Sequence, residues 1–206
     1  VEDEDGIVHA YDEELSGEAM SGGPVMLAWR DVDDAGESAV DGYNVVVHDL
    51  TSGVERPFGT RRMEQMPRFS KDGSSAIFVS DRVDGRDELW EQPLADGAAS
   101  GDARRVTRHD AGDVVHPAVS PDGRWIAYYR VADDQRDVYI VSMDGVSPVQ
   151  FTDDPGSDIQ PGWSPDGSQL AFTSDRDGRF HIWVAPVANG RPAGPARQVT
   201  RGRARE

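Results

Sequence analysis

The sequence predicts an all-β fold, a β-propeller built of four-stranded antiparallel blades, with about four blade units in this chain. A turn motif recurs three times, as Ser70-Lys71-Asp72-Gly73, Ser120-Pro121-Asp122-Gly123 and Ser164-Pro165-Asp166-Gly167. Each copy sits in the same longer pattern, whose prolines Pro67, Pro117 and Pro161 stand 50 and 44 residues apart, near the period of propeller blades. The runs between turns are four to six residues long and rich in β-branched and aromatic residues, and residues 61–200 show no sustained helical period.

Taken in order, residues 1–23 form an acidic N-terminal segment in which Ile7–Tyr11 offers a displaced first strand or a ring-closing strand. Asp12–Gly23 and Asp31–Asp41 read as loops, with a short helix at Asp12–Met20 as the alternative. Residues 24–60 make an atypical blade without the turn motif, with strands at Val25–Arg30, Tyr43–His48 and Glu55–Phe58. The blade at 61–108 supplies Met66–Phe69, Ala76–Ser80, Glu88–Glu91 and Arg105–Thr107. The blade at 109–153 supplies His116–Val119, Trp125–Tyr129, Val138–Val141 and Gln150–Thr152. The blade at 154–201 is the cleanest, with Gln160–Trp163, Leu170–Ser174, His181–Val184 and Gln198–Thr200.

The residue types explain the turn. Serine at the first corner bonds the backbone, proline presets φ at the second, aspartate tolerates the third and glycine takes the fourth, which suits a type I turn between antiparallel strands. A lone four-stranded sheet of this size cannot bury both faces, so neighbouring copies must stack face to face. Trp29, Trp90, Trp125, Trp163 and Trp183 recur at equivalent strand positions, and their repetition marks an inter-blade core rather than a carbohydrate-stacking surface.

Composition narrows the function classes. The chain of 206 residues carries a formal net charge of −17, which argues against a general affinity for nucleic acid or an anionic membrane. Only Lys71 among the 21 basic residues is lysine, a bias that points to a GC-rich or salt-loving origin more than to an activity; attraction of a cationic partner or of divalent ions is the functional alternative. No window approaches the length of apolar run a membrane helix needs. Val1–Asp5 is the opposite of a signal peptide's basic start, so either export does not occur or a leader has been removed. Cysteine is absent, which removes disulfides, thiol nucleophiles and thiolate metal sites.

The run Pro-x-aromatic-Ser-Pro-Asp-Gly, then Leu-Ala-Phe-x-Ser-Asp-Arg, Ile-Trp-Val and Gln-Val-Thr resembles the TolB-like propeller repeat over residues 61–200, and more faintly over 24–60. That repeat occurs in the periplasmic TolB component of the Tol-Pal envelope system, in propellers attached to serine peptidases, in tricorn-like proteases and in oligogalacturonate lyases. Members of these families usually have six or more blades, whereas this chain offers four. The resemblance therefore implies a fragment of a larger propeller, a small closed propeller, or a homo-oligomer that completes the ring.

The resemblance also places the residues just before each first strand at the mouth of a central channel. Here they are Glu64, Gln65 and Met66, then Asp113 and His116, then Asp158 and Gln160. His116 and Gln160 could hold a divalent cation such as Mn²⁺ or Ca²⁺, as in the lyases, although Met66 stands at the matching position and a hydrogen-bonded turn histidine before Pro117 is the simpler reading. Ser80-Asp81-Arg82 and Ser174-Asp175-Arg176 lack the spacing of an EF-hand, and read as an aspartate that orders its turn and pairs with a nearby arginine. There is no Gly-x-Ser-x-Gly elbow, no His-Glu-x-x-His and no phosphate loop.

The expectation is a non-enzymatic module without a cofactor, binding a protein or peptide through Glu64, Asp113, His116, Asp158 and Gln160. It would be periplasmic or extracellular if a leader was removed. The alternative is the propeller part of an enzyme, either a metal-assisted oligogalacturonate-type lyase or the gate of a serine or tricorn-like peptidase.

Overall fold

The structure, a computed structural model, describes residues 10–12, 15–19, 25–31, 43–57, 64–145 and 147–201. The chain divides into two compact units, Val1–Arg108 and His109–Glu206, each with two antiparallel sheets.

In unit one, blade 1 runs β1 (Ala10–Asp12), β2 (Leu15–Ala19), β3 (Val25–Asp31), β4 (Tyr43–Asp49) and β5 (Glu55–Pro57) in sequence order. Blade 2 is β6 (Glu64–Phe69), β7 (Ser75–Ser80), β8 (Glu88–Ala95) and β10 (Arg104–Arg105), with the two-residue β9 (Ala98–Ala99) folded back on the end of β8. In unit two, blade 3 is β11 (Asp113–Val119), β12 (Trp125–Ala132), β13 (Gln135–Ser142) and β14 (Val149–Gln150). Blade 4 is β15 (Asp158–Trp163), β16 (Gln169–Ser174), β17 (His181–Ala188) and β19 (Arg197–Gln198), with β18 (Arg191–Pro192) on the far end of β17.

Two elements differ from the sequence reading. The segment read as loop or helix after Asp12 holds β2, which pairs with β3 in the first-strand place offered to Ile7–Tyr11; β1, which includes Ala10 and Tyr11, pairs with β2 at the sheet edge. In blade 3, Tyr139 rather than Ile140 takes the place of Trp90 and Trp183. Each of these pairs with the aromatic of its second strand, as Tyr128↔Tyr139, Phe78↔Trp90 and Phe172↔Trp183. The cause is a tight two-residue turn, Asp133-Asp134, where blades 2 and 4 have a longer Ser-Asp-Arg loop; both aspartates adopt left-handed φ, 50° and 64°, as a type I′ hairpin requires. Trp125 opens a second strand and Trp163 closes a first strand, so the tryptophans do not share one position. Residues 7–9 and 32–42 lie outside the described residues.

The three Ser-x-Asp-Gly turns are built alike. Ser70, Ser120 and Ser164 Oγ donate to the Oδ1 of Asp72, Asp122 and Asp166 at 2.8, 2.6 and 2.6 Å. The same oxygens accept the N–H that opens the next strand, from Ser75, Trp125 and Gln169, each at 2.9 Å. Gly73, Gly123 and Gly167 close the turn with φ of 70°, 74° and 70°, a region that favours glycine.

Packing follows from the sheet faces. In unit one, Leu27, Val45 and Val47 of blade 1 join Phe69, Ala76, Phe78 and Trp90 of blade 2 in one buried cluster. In unit two, Ala127, Val138, Ile140 and Phe151 of blade 3 join Leu170, Phe172 and Ala185 of blade 4, with Trp125, Trp163 and Trp183 packed against them. Trp163 Nε1 also donates to the Ala118 carbonyl of blade 3 at 3.0 Å, so the ring is placed by a polar handle as well as by area. Burying one such side chain is worth about 1.5–3 kcal/mol, and the clusters are what make each pair of sheets one unit.

The turns carry a pH dependence. Hydrogen bonds from the Ser74 hydroxyl and amide, and then from Ser70, hold the Asp72 carboxyl down at about 2; Ser164 and Ser168 do the same for Asp166, also to about 2. A lowered native pKa contributes stability above the unfolded value and loses it as pH falls through the native one. An Asp72→Asn, Asp166→Asn double variant should therefore lose less stability than wild type between about pH 4 and about pH 2. Thermal melts across that window measure it, and parallel curves would refute the assignment.

Candidate functional site

The first strands of blades 2, 3 and 4 each carry a bulge. Glu64 and Gln65 pair with Ser80 and Val79, and pairing resumes at Arg68↔Ile77, so Met66 and Pro67 together face Phe78. In the same way His116 and Pro117 face Tyr128, and Gln160 and Pro161 face Phe172. The residue before each proline has φ of 53°, 57° and 54°, an uncommon state for a side-chain-bearing residue and one that a following proline does not favour. Three repeats of one strained state show that the bulge is part of the blade design.

Beneath the bulge lies a clamp. In blade 2, Ser80 Oγ accepts from the Arg82 amide and Nε at 3.2 and 3.3 Å, and Arg82 Nη2 donates to Glu64 Oε1 at 2.6 Å. The guanidinium lies over Phe78 and Trp90, 4.9 and 4.8 Å from the ring centroids. Blade 4 repeats the arrangement. Ser174 Oγ accepts from the Arg176 amide and Nε at 3.3 and 2.9 Å, and Arg176 Nη2 reaches both oxygens of Asp158 at 2.9 Å. Phe172 and Trp183 flank that guanidinium at 5.3 and 4.7 Å, and Asp154 approaches Nη1 at 3.7 Å.

Glu64 and Asp158 are fully buried, so their charges are tenable only because the arginines meet them. The arginine of the Ser-Asp-Arg motif thus pairs with a first-strand carboxylate eighteen positions earlier. Asp175 instead accepts the Ser157 amide at 2.7 Å, tying down the loop that enters β15.

Blade 3 departs from this plan. Ala132 stands where the arginine would be, and the His109 ring comes edge-on to Tyr128 and Tyr139 at 5.9 and 5.5 Å, with Nε2 2.9 Å from the Tyr128 hydroxyl. Arg130 Nε donates to the Ala111 carbonyl at 2.8 Å. Of the residues expected at the site, Asp113 and Gln160 are exposed, and His116 is half-buried with its ring 6.2 Å from that of Tyr129. Among the described residues, no group of three or more His, Asp or Glu side chains is placed to hold a metal ion.

Residues 100–202 match the family model of the TolB beta propeller domain. The chain belongs to that family. Residues 1–75 also match the model of the glucose-regulated metallo-peptidase M90, although the chain has no His-Glu-x-x-His. The Tol-Pal system protein TolB of Anaeromyxobacter sp. (strain K) is 34% identical over 118 residues, covering 57% of this chain and 26% of that relative. The chain thus spans about a quarter of the length of the curated relative it matches.

Solved structures share the fold. TolB from Acinetobacter baumannii superposes with a TM-score of 0.62 at 22% identity, covering 77% of this chain and 37% of that one. A putative TolB from Agrobacterium tumefaciens gives 0.65 at 20% identity, covering 88% and 59%. A puromycin hydrolase mutant complexed with PGG gives 0.65 at 22% identity, covering 92% and 31%.

One carboxylate of this TolB-family chain works against folding. Asp137 takes the strand position that Glu88 holds in blade 2, where Thr107 Oγ1 and Arg105 Nη2 donate to the carboxylate. Asp137 Oδ1 is buried without a partner, and desolvation, then the charges of Asp158 and Asp153, push its pKa up.

Two outcomes are expected. Arg176→Ala should cost about 3–5 kcal/mol in urea unfolding by stranding Asp158, and adding Asp158→Ala should restore part of that loss. Asp137→Asn should stabilise the chain at neutral pH, and the advantage should vanish as pH falls below the ordinary carboxylate value. Equal pH profiles for that variant and wild type would remove Asp137 as the source.

Proposed function

We propose that this TolB-family chain is a non-enzymatic module that binds a protein or peptide through the bulged first strands of its blades. The observation that supports the reading is a constant backbone carrying a changing side chain. Met66, His116 and Gln160 share one left-handed state and differ in chemistry. A metal centre or a shared catalytic site needs donors of related kind at related positions, whereas a recognition surface needs fixed geometry and varied groups.

In this proposal the clamps are the support and the exposed residues are the reader. Arg82–Glu64 and Arg176–Asp158 hold the first strands from beneath, while His116, Gln160 and the exposed Asp113 meet the partner in unit two. The Tol-Pal relative makes the Pal component the first partner to try, and makes the periplasm the proposed location.

The test is calorimetric titration of the chain with the soluble domain of Pal from the same organism. A His116→Ala, Gln160→Ala double variant should bind at least about tenfold more weakly, a loss of about 1.4 kcal/mol, with an unchanged melting curve. Unchanged affinity would sink the face assignment. Binding that requires added Mn²⁺ or Ca²⁺ would favour the metal reading at His116 and Gln160, and turnover of peptide substrates by the purified chain would favour the peptidase-propeller reading.

A further inference from the structure

Blades 2 and 4 follow one plan along their outer strands, residue for residue. The hairpins Asp96-Gly97 and Asn189-Gly190 share φ of 50° and 68°, and Pro93, Gly101 and Ala103 of blade 2 correspond to Pro186, Gly194 and Ala196 of blade 4. One position breaks the match. Gln92, 5% exposed, donates from Nε2 to the carbonyls of Pro93 and Gly101 at 3.1 and 3.0 Å, whereas blade 4 carries Ala185 at that place. The strip that an amide side chain spans in blade 2 is bare in blade 4.

A cavity of about 430 Å³ opens at that strip, within the size range of small-ligand sites. Ala185, Gly194 and Ala196 form one side, and the stretch from Phe151 to Asp154, where the chain leaves the last strand of blade 3, forms the other. Both sides belong to unit two, so the cavity lies between two blades that are both present. Its lining grades from apolar to acidic, with Phe151 and Phe172 buried and Asp153 and Asp154 ending the stretch. The guanidinium on the lining, Arg176, is already committed: it meets both oxygens of Asp158 at 2.9 Å and Asp154 at 3.7 Å. The local balance is therefore negative. Desolvation, then the charges of Asp158 and Asp153, hold the Asp137 carboxyl above its ordinary value, and Gln135 and Arg130 offset only part of that, as expected where carboxylates outnumber cations.

We propose that this cavity binds a cation carried on an aliphatic stem, an ammonium or guanidinium whose stem lies along Phe151 and Ala185 and whose head meets Asp153 and Asp154. Carboxylates only accept, so the head of the ligand must donate, and a positive charge answers the local excess of negative charge. An aliphatic stem can bury its methylenes on the apolar lining while its head stays at the polar end. In blade 2 the Gln92 amide supplies the N–H group at this place; in blade 4 the ligand brings it. The site is separate from His116 and Gln160 and does not rest on the partner proposed for them.

Backbone-amide NMR of the purified chain, titrated with n-butylammonium chloride, tests the site. Shifts should saturate at Phe151–Asp154, Ala185 and Gly194, and n-butanol and sodium butyrate should bind at least about tenfold more weakly. Ala185→Gln, which gives blade 4 the side chain of blade 2, should keep a native melting curve and weaken binding at least about tenfold. Asp153→Asn, at an exposed position, should weaken it several-fold, while Asp102→Asn, exposed in unit one, should bind as wild type. Nα-acetyl-lysine N-methylamide binding more tightly than butylammonium places the cation on a protein partner, and weaker binding makes it a free amine; either result upholds the site. Equal affinity for butanol overturns the proposal, as does a lack of saturation at these amides. Undiminished binding by a folded Ala185→Gln or Asp153→Asn variant overturns it as well.

Discussion

A sheet four strands wide has two faces and no means of covering either by itself, and most features of this chain answer that constraint. The neighbouring blade must supply the cover, so the strands must arrive in register with the next sheet as well as with their own. The Ser-x-Asp-Gly turn fixes where the second strand begins, because one serine oxygen both meets the aspartate and accepts the first amide of that strand. The bulge then places its extra residue opposite the aromatic at the centre of the second strand, Phe78, Tyr128 or Phe172. That aromatic and its partner on the third strand form the wall on which a neighbouring group rests. In blades 2 and 4 the group is an arginine, and in blade 3 it is His109.

The arginine clamp shows how one interaction can serve packing and placement together. A guanidinium is weakly hydrated and flat, so it can lie between Phe172 and Trp183 while its edge stays hydrogen-bonded. Its edge is directed at a fully buried carboxylate on the first strand, which sits two residues before the bulge. The charge pair therefore ties the strained end of β15 to the hydrophobic wall. Replacing the pair with aliphatic residues of similar volume could leave the core as stable, but nothing would then fix the approach of the strand to the wall.

How much of this was legible in the sequence depended on whether a feature repeats. The turns at Ser70, Ser120 and Ser164 were readable because identical chemistry recurs at a fixed period. The clamp was half readable, since Ser80-x-Arg82 and Ser174-x-Arg176 recur, each with a carboxylate eighteen residues upstream, at Glu64 and Asp158. Its pairing was missed because a motif's own aspartate is the nearer partner in sequence, whereas the arginine reaches across the sheet to the first strand. β2 was missed for a different reason. Leu15-Ser16-Gly17-Glu18-Ala19 has no β-branched or aromatic residue, and only the ladder with β3 makes it a strand. The left-handed state of Met66, His116 and Gln160 had no sequence signal at all, because a residue before proline is expected to be extended.

Blade 3 turns these comparisons into an argument about function. It keeps the turn, the bulge and the aromatic pair but gives up both halves of the clamp: Ala132 stands in place of the arginine, and Val114, paired with Arg130 as Glu64 is with Ser80 and Asp158 with Ser174, is a fully buried apolar residue. A buried ion pair and well-packed apolar residues can fill the same place, so the clamp is exchangeable as a unit. Arginine and carboxylate are lost together, so no charge is stranded, while the bulge is retained with its left-handed His116. The bulge survives that exchange, so what the three blades hold constant is the left-handed display of Met66, His116 and Gln160, the feature on which the binding proposal rests.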